Sequence, residues 1–391
     1  MSSLLEPVVI GGKVPLRNRV VMGSMTRNRC FDDNKPGPAQ VTHYADRAKH
    51  GTGLLVTEGT FVDWAGCDWE HSPYMITQDH ADAWRKVTDA VHEAGGKIFF
   101  QAWHAGRCQH EQMPIMKEHG GRVLAPSAVQ ANNGKYRDLP GQPGHTANIE
   151  AIEDVNEVIG TYRRACQLAK SAGFDGVELL AQGGYLPHQF LISRANKRTD
   201  KYGGSVENRC RFTLELVDAI AETFGGPEFI CVKLNPTDFL NDSVVQFDEM
   251  KEVYTYLIQE LVKQKVGIIN LSRRGTGPHK GTVDFVARPE GYPIPPSYDP
   301  VIDFSKLVNF PGSPSMLMAN HDYTVEEADE LIKGGQLDMV TFGRPFICNP
   351  DVVTRIKHGI PFSTNDRGPT VFYGPGKDAD ENYNDWPASA I

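Results

Sequence analysis

Two places along this chain bring together residue types that could do chemistry. The first is Gly176 to Arg209, GVELLAQGGYLPHQFLISRANKRTDKYGGSVENR. Its apolar run breaks on Gly183–Gly184, presents Tyr185, and passes through a polar Arg-, Lys- and Gly-rich segment into a helix beginning near Ser205. A strand followed by such a loop puts reactive groups at the strand's C-terminal end, where parallel α/β folds hold their sites. The second place is TFGRPFICNPDVV, from Thr341 onward. Gly343 permits close backbone approach, Arg344 offers a guanidinium fork, and a helix is expected from near Pro350; together these suit a phosphate. Asn320 is expected on the same rim. The same residues would also make an ordinary turn with a solvated Arg.

These residues need a scaffold, and the pattern supplies one. Apolar runs predict strands at Arg19–Met25, Gly53–Glu58, Lys97–Trp103, Gly176–Ala181, Phe229–Leu234, Gly267–Leu271, Ser315–Ala319 and Met339–Phe342. Helical periodicity falls between them, for example over 79–94, 151–172, 205–224, 247–265, 324–333 and 350–358. Gly173, Gly334 and Gly359 sit where helices would stop. Continuous apolar runs suit parallel strands covered on both faces. Eight strand–helix units favour a single (β/α)8 TIM barrel over residues 1–361. A Rossmann sheet is disfavoured because no GxGxxG follows a strand and opens a helix. The connections 104–150 and 274–300, after strands three and six, are long enough to cap a site. The polar segment 362–391 is expected to pack on the barrel as a tail.

Composition narrows the partners. The balance of 40 basic against 49 acidic residues gives a net charge of −9, with no basic run to serve as a phosphate footprint for nucleic acid. No stretch approaches the roughly 20 apolar residues of a membrane span, and the N-terminal MSSLLEPVVIGG does not read as a signal peptide. Seven scattered cysteines without CxxC disfavour both disulfides and a metal or iron–sulfur site. A cytoplasmic enzyme acting on small molecules, as a monomer or homodimer, is expected.

The spacing GYLxxQFL, then RTDxYGGSxENR, resembles the old yellow enzyme family of FMN-dependent ene-reductases, and the resemblance runs over roughly residues 5–360. It implies FMN in the barrel mouth, NAD(P)H as reductant, and hydride transfer to an activated C=C bond such as an α,β-unsaturated carbonyl. It assigns Ser24, Met25 and Thr26 (in MGSMTR), Gly59, Gln101 and Lys233 to the flavin, with Asn320, Gly343 and Arg344 at its phosphate. Lys233 stands where the family usually has Arg, keeping the charge while losing the fork. Tyr185 matches the tyrosine that protonates the substrate carbon opposite the hydride; a phenol of pKa about 10 suits a strongly basic carbanion. Through YNDWP the tail matches weakly, so Tyr383 or Trp386 could reach over the site.

One departure stands out. The family's substrate anchor is a His with Asn or His three residues later, and here those positions hold Leu180 and Gly183. Two donors aimed at a developing enolate are lost, at about 10²–10³ in rate per donor. Gln182, His104 and His279 are the candidate replacements; the related dienoyl-CoA reductases, which take a His from the loop after strand six, favour His279. An apolar wall at Leu180 suits a bulky or self-activated acceptor. The same loss leaves open an FMN-containing isomerase or cyclase without net NAD(P)H consumption, or a non-catalytic flavin-binding protein.

Overall fold

The structure, a computed structural model, describes residues 2–390 apart from 133–138, 140–143, 276–287, Pro375 and Lys377. Eight parallel strands close on themselves: β1 Val20–Met22, β2 Leu54–Val56, β3 Ile98–Trp103, β4 Gly176–Ala181, β5 Ile230–Leu234, β6 Ile268–Ser272, β7 Met316–Asn320 and β8 Met339–Phe342. Closure is made where Val340 and Phe342 of β8 pair with Val20 and Met22 of β1. Helices α1 Pro38–Lys49, α2 Gln78–Glu93, α3 Val155–Ser171, α4 Val206–Phe224, α5 Phe247–Lys263, α6 Pro300–Ser305, α7 Val325–Lys333 and α8 Val352–His358 follow the strands in turn. The expected (β/α)8 barrel is the fold.

Local sequence explains the helix ends. Ser205 and Thr324 cap α4 and α7, their hydroxyls accepting from the N–H groups of Asn208 and Glu327. α4 and α8 stop on Gly225 and Gly359 in the left-handed conformation. The first strand is shorter than expected. After Met22 only the Gly23 N–H still pairs, with the Phe342 carbonyl, and the chain then leaves the sheet so that Ser24–Arg27 lie across the barrel mouth.

The barrel interior is stratified. Its lower part is apolar, built from Val21, Leu54, Val56, Phe99, Ile268, Met318 and Met339. An antiparallel hairpin, Val8–Ile10 with Val14–Leu16, plugs this end by packing Ile10 and Leu16 into that cluster. The pattern VVIGGKVPL carries a hairpin signal, two alternating runs about Gly11–Gly12, that the strand assignment above did not include. Burying so apolar a floor leaves the upper end as the place for polar groups.

The connection after β3 is folded rather than open. It holds a short helix, Pro114–His119, and a two-stranded parallel pair of Val123–Ala125 with Ile149–Ala151. Much of the connection after β6, including His279, lies outside the described residues. No helix among the described residues is long and apolar enough to cross a membrane. No cluster of His, Cys, Asp or Glu among them could hold a metal ion.

Candidate active site

At the upper end of the barrel the inward positions turn polar, and they are joined by hydrogen bonds. Ser24 Oγ donates to Gln101 Oε1 at 2.7 Å, and Gln101 Nε2 donates to Glu178 Oε1 at 2.7 Å. Asn270 Nδ2 reaches the other carboxylate oxygen at 2.9 Å, and Asn320 Nδ2 donates to Asn270 Oδ1 at 2.7 Å. Ser272 Oγ lies 2.8 Å from Asn320 Oδ1 and 3.0 Å from Gln182 Oε1; its single proton serves one of them. Gln101 and Glu178 are opposite each other in the β3–β4 register, and Lys233 is opposite Leu180 one layer higher. Strands β3, β4, β6 and β7, with Ser24 just beyond β1, thus contribute to one polar layer.

Above it lies a cavity of about 190 Å³ lined by Met25, Thr26, Trp69, Tyr185, Arg344, Ile347, Phe372 and Tyr373. Tyr185 caps the N-terminus of the short helix Leu186–Leu191 after β4, and its ring meets Trp103 edge-on at 4.8 Å. Leu180 packs in the same apolar cluster with Phe61, Trp103 and Tyr185. Arg344 projects from the end of β8, with 53% of its side chain exposed and a 3.8 Å ion pair to half-exposed Asp322. Such an exposed pair holds its partners weakly.

The groups present fit an anionic flavin cofactor. Lys233 is 8% exposed yet its ammonium has neither a hydrogen bond nor an ion pair among the described residues. An ammonium so placed, with no counter-charge among the described residues, can be paired by an anion over the barrel mouth. Gln101 retains one N–H and one lone pair for a pyrimidine edge after its bonds to Glu178 and Ser24. Arg344 and Gly343, at the ends of the same rim as β7, suit the phosphate.

A family model described as NADH:flavin oxidoreductase / NADH oxidase matches residues 3–363. The chain belongs to the old yellow enzyme family. Among similar proteins, the Leishmania infantum "Probable flavin mononucleotide-dependent alkene reductase" is 35% identical over 98% of this chain and 97% of its own length. Among solved structures, the old yellow enzyme homologue from Zymomonas mobilis superposes with a TM-score of 0.84 at 29% identity, covering 99% of this chain and 100% of its own. Morphinone reductase in complex with tetrahydroNAD gives 0.82 at 32% identity, covering 100% and 98%. This old yellow enzyme is therefore an NAD(P)H-dependent flavin oxidoreductase with FMN as its cofactor.

Not every residue assigned from the sequence reaches the mouth. His104, a candidate substrate anchor, lies in the core instead. It is 1% exposed, its Nδ1 accepts from the Gly106 N–H at 3.0 Å, and its Nε2 is buried without a partner. Burial lowers its pKa, so it is a neutral core imidazole. Tyr383 is likewise in the core: it is fully buried and stacked on His43 at 3.9 Å, between the guanidinium groups of Arg27 and Arg29. Its role is to seat the tail, which Arg27 also grips through the carbonyls of Val371, Phe372 and Asn382. Trp386 packs beneath the same segment against Arg367. The tail aromatics at the cavity are Phe372 and Tyr373, the latter 4.8 Å from Trp69, and none of the three was singled out from the sequence. The signal was present as FYG, ten residues before the more conspicuous YNDWP.

Gly59 contributes indirectly, because a Cβ there would collide with the Trp103 ring. Asn320 turns inward to Asn270 and Ser272 rather than only along the rim. Gln182 is on the same face as Leu180, with its Oε1 3.0 Å from the Ser272 hydroxyl. Glu178 and Asn270, the centre of the polar layer, were not read as site residues because a buried carboxylate in an apolar strand carries no spacing signal.

Proposed function

We propose that this enzyme uses NAD(P)H to reduce the C=C bond of an electron-poor, bulky or self-activated acceptor. When bound, FMN supplies the hydride chemistry, accepting from the nicotinamide and delivering to the acceptor. The protein's part is to hold charge, orient and protonate. Lys233, with no counter-ion of its own, stabilises negative charge at the pyrimidine end of the cofactor, and Arg344 holds the phosphate end. Ser24, Met25, Thr26 and Gln101 line and fix the ring system.

Tyr185, at the cavity wall, donates the proton to the acceptor carbon. The observation that carries the choice of acceptor is the end of β4. Leu180 offers hydrocarbon where a donor would meet a carbonyl oxygen, and Gly183 has no side chain. An acceptor bound there must be activated by its own substituents, as maleimides and nitroalkenes are. The aromatic lip of Trp69, Phe372 and Tyr373 favours flat, apolar faces. The relatives named alkene reductase and morphinone reductase support the same class of reaction.

The test is turnover with NADPH or NADH across a panel of acceptors. Maleimides and nitroalkenes are expected to exceed a simple cyclic enone by about 10² in kcat/KM, the worth of one lost donor. Equal or better activity on the simple enone would refute the proposed acceptor class.

A further inference from the structure

We infer that Glu178 is a positioning residue for the flavin's pyrimidine edge, its carboxylate fixing which way the Gln101 amide faces. This rests on the flavin reading of the site. Glu178 is 1% exposed at the centre of the barrel, and every hydrogen bond it makes arrives from a donor: Gln101 Nε2 at 2.7 Å, Asn270 Nδ2 at 2.9 Å and the Cys231 thiol at 3.4 Å. No cation pairs with it among the described residues.

A carboxylate with three donors has no hydrogen to offer. Each amide touching it must therefore present its NH2 and turn its carbonyl away. For Gln101 this leaves Oε1 toward Ser24, with one free lone pair and one free N–H toward the mouth. For Asn270 it leaves Oδ1 toward Asn320, whose NH2 donates there and whose own carbonyl faces Ser272. One charge thus sets the polarity of three amides. A flipped Gln101 would face the ring with the same atoms exchanged, donor against donor. The buried negative charge also opposes the Lys233 cation one layer above, so the two together tune how readily negative charge is accepted at the mouth.

Glu178→Gln keeps the shape and removes the charge. One oxygen must then serve two amide donors, so either Gln101 or Asn270 loses its fixed direction. FMN titrated into apoprotein by fluorescence is expected to bind at least about tenfold more weakly, the scale of one misdirected charge-assisted hydrogen bond. The midpoint potential of the holoenzyme is expected to move positive. Wild-type affinity and potential in this variant would overturn the inference. The exchange Gln101→Glu with Glu178→Gln restores a carboxylate–amide pair across the same strands, reversed in direction, and serves if the single variant does not fold. Weaker FMN binding and a lower potential support the inference, whereas wild-type values overturn it. A wild-type chain that binds no FMN would overturn the flavin reading beneath it, an outcome distinct from either.

Discussion

The ring of Tyr185 lies over Gly183 so closely that a Cβ built on Gly183 would come within 2.7 Å of Tyr185 Cε2. Gly183 is also left-handed, at φ +73, with its N–H donating to Asp238 Oδ2 at 2.6 Å and its carbonyl held by Asn241. The proposed proton donor and the position of the missing anchor are one packing unit. Gly183→Asn is therefore not expected to regain a carbonyl anchor. It should displace the ring, lower stability by about 1–3 kcal/mol and slow alkene reduction. Thermal melts and kcat on a maleimide check this; an enone-active variant of unchanged Tm would contradict it.

Tyr185→Phe separates protonation from hydride delivery. Flavin reduction by NAD(P)H should be unchanged, while reoxidation by an alkene falls by about 10²–10⁴. Quinone reoxidation should survive, since its oxygens exchange protons with water. Rapid-mixing traces of the two half-reactions give the answer.

Lys233→Met removes the unpartnered cation. Weaker FMN binding, by about tenfold or more, and a more negative midpoint potential are expected, with Lys233→Arg restoring both. If Lys233→Met kept the wild-type potential, the ammonium would not be facing the cofactor.

Much of this was legible beforehand. The eight barrel strands stood out because parallel strands buried on both faces read as unbroken apolar runs, and Tyr185 and Arg344 lie where such strands end. What was not legible depended on depth rather than spacing. His104 and Tyr383 have the right types near the right motifs, yet their side chains turn into the core. Tyr373 reaches the cavity because Arg27 and Tyr383 pin the tail on either side of it, a tertiary fact with no local pattern. Glu178 looks like any charged residue until four strands close around it.

Glu58 gives a pH signature. Burial pushes its carboxyl from 4.5 up to about 7, against the opposing N–H groups of Arg27 and Asn28. The folded state then holds the proton more tightly than the unfolded chain. Its contribution is full below about pH 4.5 and is lost as the pH rises through about 7, in total about 3 kcal/mol. Buried His188 and His145, whose pKa values fall to about 3 and about 4, act in the opposite sense. The comparison is therefore wild type minus Glu58→Gln. That stability difference should fall with rising pH, and a flat difference would place the Glu58 proton elsewhere.

The most direct measurement is anaerobic stopped-flow on the purified holoenzyme, first with NADPH or NADH and then with a panel of acceptors. Fast flavin reduction followed by fast reoxidation with maleimides, quinones and nitroalkenes, and slow reoxidation with a simple cyclic enone, is the expected result. Fast reduction with no response to any activated alkene would contradict ene-reduction and favour chemistry without net NAD(P)H consumption.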